Sequence, residues 1–286
     1  MDLSRRQLLV GGASALLLSA CSSGSGKSSG ATSTTAGGRG LYNGFDPAQP
    51  AGTPLRLPLV VTDPDGSFAT SLPKSLVVTL SRPDGTTLAP LTIARHDKGL
   101  PRGYFPLQAT LDVEGRWTAA SELDGRRVTV DIDAKNPSEL PAVPGPGDTL
   151  PKVATPTPGE HGGVAPICTR DPQCPFHASS LETLIGGSKH IALLVSTPQF
   201  CKVAICGPVL DLLVERRAAL DAAGVTVVHA EVYTDDTAKQ TAPIVDALGL
   251  TYEPALFLAR ADGTVVDRLD YIYDVTELEA GLAKLS

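Results

Sequence analysis

Phe200-Cys201-Lys202-Val203-Ala204-Ile205-Cys206-Gly207-Pro208-Val209 is the stretch on which the reading of this chain turns. The apolar run Ile191 to Val195 precedes it, and a helical pattern begins near Pro208. Two cysteines therefore fall where a strand hands over to a helix N-terminus. Unpaired backbone N–H groups and the positive end of the helix dipole stabilise a thiolate there and lower its pKa. Cys201 and Cys206, spaced Cys-x4-Cys, are accordingly the candidate catalytic pair for thiol–disulfide chemistry.

Outward from this stretch the hydrophobic period alternates between helix and strand. A helix is predicted from Ser179 to Ile185, a strand from His190 to Val195, a helix from about Pro208 to Ala223 and a strand from Val225 to Tyr233. Asp235 or Asp236 caps a third helix reaching Leu248, with Gly249 as its stop signal. Strands Ala255 to Ala259 and Thr264 to Leu269 flank the hairpin turn Ala261-Asp262-Gly263, and a helix from Asp274 to Leu285 closes the chain. The pattern over 166–286 is that of an α/β layer arrangement.

Residues 41–135 read differently. Short alternating runs (Arg56 to Thr62, Leu76 to Leu80, Leu88 to Ala94, Tyr104 to Leu111, Arg116 to Ser121, Arg127 to Ile132) are punctuated by turns such as Asp63-Pro64-Asp65-Gly66 and Arg82-Pro83-Asp84-Gly85. Strands at such spacing predict a small antiparallel β-sandwich, with Trp117, the single tryptophan, as a core anchor. Between the halves, 136–165 is rich in proline without a fixed period and reads as a semi-extended linker.

The N-terminus carries an address. Arg5-Arg6 and the apolar stretch Leu8 to Leu18 have the shape of an export signal, too short for a permanent span. The paired arginines resemble a twin-arginine signal, and Leu18-Ser19-Ala20-Cys21 resembles a bacterial lipobox in which Cys21 is lipidated. Residues 1–21 are thus the export signal with lipobox. Residues 22–40, almost all Ser, Gly, Thr and Ala, form a flexible tether. The expected location is extracytoplasmic, anchored to the cell membrane as a lipoprotein. A net charge of −7 over 286 residues, with no basic cluster beyond the signal, gives no reason to expect a nucleic-acid partner.

Four cysteines remain for an exported fold: Cys168, Cys174, Cys201 and Cys206. Three connectivities are open, and short spacing favours Cys168 with Cys174 as a structural disulfide and Cys201 with Cys206. His177 follows Cys174 by three residues, a spacing compatible with metal binding without being specific to it. No metal and no cofactor is expected.

The order of elements, with cysteines after the first central strand and Glu253-Pro254 leading into the strand before the hairpin, resembles the thioredoxin-like fold over about 120 residues. The N-terminal half resembles an immunoglobulin-like module by pattern alone. The expected fold class is an α/β thioredoxin-like domain preceded by an all-β immunoglobulin-like sandwich. The resemblance implies a cis peptide at Pro254, packed beside the cysteine pair. Cys206-Gly207-Pro208-Val209 matches the family's Cys-Gly-Pro-Cys with valine in the last place, and Leu194 and Val195 stand where that family keeps a buried acid. Cys206, at the helix start, is taken as the lower-pKa sulfur and Cys201 as the resolving one, with the reverse assignment left open. The function this implies is thiol–disulfide exchange on cysteine-containing exported proteins. Two alternatives stand beside it: copper binding or delivery, because soft thiolates suit Cu(I), and a non-catalytic binding module with structural disulfides.

Overall fold

The computed structural model describes residues 38–201 and 204–286. The export signal 1–21 with Cys21, and the tether as far as residue 37, lie outside the described residues.

The first half builds two sheets around one core. Strands β1 (Gly40–Asn43), β2 (Ala48–Pro50), β3 (Pro54–Thr62), β4 (Ser75–Ser81), β5 (Leu91–Ala94), β6 (Phe105–Thr110), β7 (Gly115–Leu123) and β8 (Arg126–Lys135) follow the alternating runs. They form a three-stranded sheet in the order β1-β3-β6 and a five-stranded sheet in the order β2-β8-β7-β4-β5. Alternation sends Leu76, Val78 and Leu80 of β4 and Val128, Val130 and Ile132 of β8 inward, where they meet Leu57, Leu59 and Val61 of β3. Trp117 is fully buried among them and donates its indole N–H to the Val113 carbonyl at 2.9 Å.

The second half is built on β9 (His190–Val195), β10 (Val225–Ala230), β11 (Ala255–Ala259) and β12 (Val265–Asp270), in the order β10-β9-β11-β12. β10 runs parallel to β9, while β11 is antiparallel to both of its neighbours. β9 and β11 are apolar almost throughout because both of their faces are covered. Helices α1 (Leu181–Leu184), α2 (Cys206–Glu215), α3 (Arg217–Ala222), α4 (Pro243–Ala247) and α5 (Val275–Leu282) supply the cover.

The expected fold class is corrected by this structure. Of the described residues 34 % are strand and 16 % helix, arranged as several sheets and a half-barrel, not as an α/β thioredoxin fold after an immunoglobulin sandwich. The helices are the reason. The predicted helix 208–223 is broken at Arg216, whose φ of −99° and ψ of 5° leave the helical basin, so two short pieces replace one rod. The predicted helix from Asp235 is mostly turn: Tyr233 bridges Thr241, Ala238 takes φ +52°, and helix begins only at Pro243, whose missing N–H is no loss in a first turn.

The proline-rich segment adds further extended backbone. Thr149 bridges Thr264, and the Leu150 N–H donates to the Gly263 carbonyl at 2.9 Å. Leu150 and Val164 are buried in the core of the second half, and at the start of α1 the Thr155 N–H donates to the Ser180 hydroxyl and the Leu181 N–H donates to the Thr155 hydroxyl. Residues 147–165 thus run along the second sheet and its first helix in contact with them.

The halves meet across a polar seam. Asp274, the N-cap of α5, accepts from the Glu277 N–H at 3.0 Å and the Lys98 N–H at 3.2 Å, and its own N–H donates to the Tyr104 hydroxyl at 2.9 Å. Tyr104 in turn hydrogen-bonds Glu277. Among the described residues no helix is long and apolar enough to cross a membrane.

Candidate functional site

Cys206 is the first residue of α2, and its backbone N–H donates to the Cys201 sulfur at 3.4 Å. The helix therefore directs its orphan amide and dipole at Cys201 rather than at the cysteine it begins with. Cys206 is fully buried and Cys201 is partly exposed. Burial, then the hydrogen bond and charge of Cys201, then the charge of Glu253, push the Cys206 thiol far above its ordinary value. Desolvation outweighs whatever Cys206 gains from its place at the helix start.

Cys201 packs on a small cluster made by both halves: Val60 and Tyr104 from the first, Ile205 and Ile272 from the second. Beside it opens a groove of ≈ 370 Å³ lined by Tyr42, Phe68, Leu100 and Arg102 on one wall and by Ala204, Ile205 and Pro208 on the other. Ala204 holds φ +53°, a left-handed turn that carries the chain from the Cys201 loop into α2. The Glu253–Pro254 peptide is cis, and the Pro254 carbonyl accepts from the Tyr271 N–H at 2.7 Å. The charge of Glu253, which no local sequence pattern links to the pair, raises the pKa of both Cys206 and Tyr233.

Cys168 and Cys174, expected as a structural disulfide, are unbridged here and gather with two histidines. His177 approaches the Cys174 sulfur at 3.3 Å through Nε2. His229, from β10, approaches Cys174 at 3.4 Å and Cys168 at 3.7 Å through Nδ1. All four residues are buried. The hydrogen bond from Cys174, against the opposing effect of burial, holds the Cys168 thiol far below its ordinary value; the same hydrogen bond, then burial, then the charge of Cys168 raise Cys174. Glu231 ties the loop down by accepting from the Thr169 N–H at 2.6 Å and its hydroxyl at 2.9 Å. His177 was noted in the sequence by its spacing, whereas no local pattern joins His229 to the cysteines 55 and 61 positions earlier.

A third group, His96 with Asp274 and Glu277, belongs to the polar seam, where capping and ion pairing with Arg56 occupy its carboxylates. Among the described residues, the clusters of three or more His, Cys, Asp or Glu side chains close enough to share an ion do not include Cys201 or Cys206.

No family model matches this chain. None of the curated proteins matches it either.

Proposed function

We propose that this protein is a thiol–disulfide oxidoreductase, held at the outer face of the cell membrane through Cys21 and acting on cysteine-containing exported proteins. The observation that carries the reading is the Cys206 N–H donated to the Cys201 sulfur at 3.4 Å, with one sulfur partly exposed and the other buried. An accessible sulfur with a helix amide aimed at it is the attacking group, and a buried thiol beside it is the resolving group.

In this scheme the Cys201 thiolate attacks one sulfur of a substrate disulfide and expels the other as a thiolate. A mixed disulfide joins Cys201 to the substrate. Cys206 then loses its proton, which Glu253 takes directly or through water, and its thiolate attacks the Cys201 sulfur and releases the second substrate thiol. The substrate gains two electrons, and Cys201–Cys206 becomes the disulfide, to be reduced again by a dithiol partner. Run backwards, the same steps oxidise a substrate dithiol. The apolar groove beside the pair suits an unfolded or extended segment around the substrate cysteine.

The test is trapping. A Cys206→Ser chain should accumulate mixed disulfides through Cys201 when offered exported proteins, and a Cys201→Ser chain should accumulate none. Equal trapping by both variants, or by neither, would remove the proposal.

A further inference from the structure

The second thiol cluster has the chemistry of a closed metal centre, and nothing in the thiol–disulfide scheme uses it. Loop 168–177 supplies Cys168, Cys174 and His177, and β10 supplies His229. Their four ligand atoms lie within 4.8 Å of one another. A tetrahedral zinc with Zn–S about 2.3 Å and Zn–N about 2.0–2.1 Å sets its sulfur and nitrogen ligands about 3.6 Å apart. Three of the four sulfur–nitrogen separations here are 3.3, 3.4 and 3.7 Å.

The histidine tautomer agrees. His229 Nε2 lies 3.1 Å from the Ser196 carbonyl, which can only accept, so Nε2 carries the proton and Nδ1 turns its lone pair toward the sulfurs. That is the outer-shell arrangement by which proteins fix a metal-bound imidazole. A single lone pair cannot accept from two thiols at once, yet both sulfurs face it; a cation among them satisfies every member together. Two thiolates also neutralise a divalent ion, so the buried centre carries no net charge of its own.

We propose that Cys168, Cys174, His177 and His229 form a structural zinc(II) site that pins the loop 168–177 across the open edge of the sheet. β10 is an edge strand, and the loop already covers it through the His229 N–H donated to the Phe176 carbonyl at 3.1 Å. As the ion enters, the protons still held by the two thiols leave to solvent, and four protein ligands leave no open position for substrate.

The experiment takes the full chain, reduced and stripped by a chelator, and titrates it with cobalt(II) and then zinc(II). Cobalt should give the intense visible bands of a tetrahedral site with thiolate-to-metal charge transfer, zinc should displace it, and elemental analysis should find about one zinc per chain. A chain carrying Cys201→Ser and Cys206→Ser should bind as the parent does. Cys168→Ser and His229→Gln should each lose affinity by at least about tenfold. Three results overturn the site: no metal uptake by the reduced parent, uptake that depends on Cys201 and Cys206 instead, or a Cys168–Cys174 disulfide in the protein as exported. The parent measurements decide the matter even if a ligand variant fails to fold.

Discussion

Arg56 of β3 grips Glu277 of α5 with two parallel hydrogen bonds, Nε to Oε1 at 2.7 Å and Nη2 to Oε2 at 2.5 Å, across 221 positions of sequence. Both side chains are only 12 % exposed, and the Arg56 Nη1 also donates to the Asp270 carbonyl at 2.9 Å. Burial opposes the guanidinium charge, but Glu277 outweighs it and holds the Arg56 pKa above its ordinary value. Glu277→Ala leaves that cation buried without its partner and should cost about 3–5 kcal/mol, whereas Arg56→Met with Glu277→Leu should recover most of the loss. Denaturant unfolding of the two single variants and the double checks this, and a double variant no better than either single one would refute it.

Alkylation should separate Cys201 from Cys206. In the reduced protein Cys201 is expected to react with iodoacetamide at least about tenfold faster than Cys206, because reactivity follows access and thiolate fraction. Peptide mapping after timed quenching reads the two rates directly. A faster Cys206 would return the roles to those read from sequence.

Glu253 has two opposed effects on Cys206. Its charge raises the thiol pKa, while in the proposed scheme it is the base that takes the proton resolution must lose. General-base assistance is worth about 10²–10⁴ in rate, which exceeds the gain from removing one nearby charge. Glu253→Gln should therefore leave formation of the mixed disulfide unchanged and slow its resolution at least about tenfold. Quenched-flow mass spectrometry follows both steps; faster resolution would make Glu253 a burden rather than a base.

Gly99 has φ +81°, and a Cβ there would stand 2.7 Å from Leu212 and 2.8 Å from Val275. Gly99→Ala adds left-handed strain to overpacking where the first half meets α2 and α5, and should destabilise by about 2–4 kcal/mol. Thermal unfolding reads the cost, and a loss below about 1 kcal/mol would show that the seam yields easily.

Burial raises the Glu231 pKa above its ordinary value, against the opposing pull of His229 and Thr169. A carboxyl raised in the folded state contributes stability below its unfolded pKa, and that contribution is lost as pH climbs through the folded pKa. Glu231→Gln keeps an acceptor for Thr169 and does not ionise. Its stability relative to the parent should increase as pH rises above about 4.5, the range where the unfolded carboxyl ionises. Urea unfolding at a series of pH values tests the slope, which would be flat or inverted if the carboxylate were well solvated.

Sequence periodicity located the strands well. The runs Arg56 to Thr62 and Ala255 to Ala259 became β3 and β11, and the Ala261-Asp262-Gly263 turn joins β11 to β12 with Gly263 at φ +91°. Helix length was overread because Arg216 and the turn around Ala238 interrupt patterns that are amphipathic on paper. The proline-rich stretch was read as a linker because proline marks extended backbone, and composition does not reveal which surface that backbone will lie on.

The sequence by itself determined the two thiol clusters, because cysteine spacing and a helix start are local facts: Cys201 with Cys206, and Cys168 with Cys174. Which sulfur of the first pair is exposed was decided only by tertiary structure, since the burial of Cys206 and the effect of the Glu253 charge on it come from packing that local spacing does not encode. The same holds for His229, brought to the second cluster by the register of β10 beside β9, and for Arg56 with Glu277. Charge and lone pairs act over a few ångströms, and only the folded chain sets those distances.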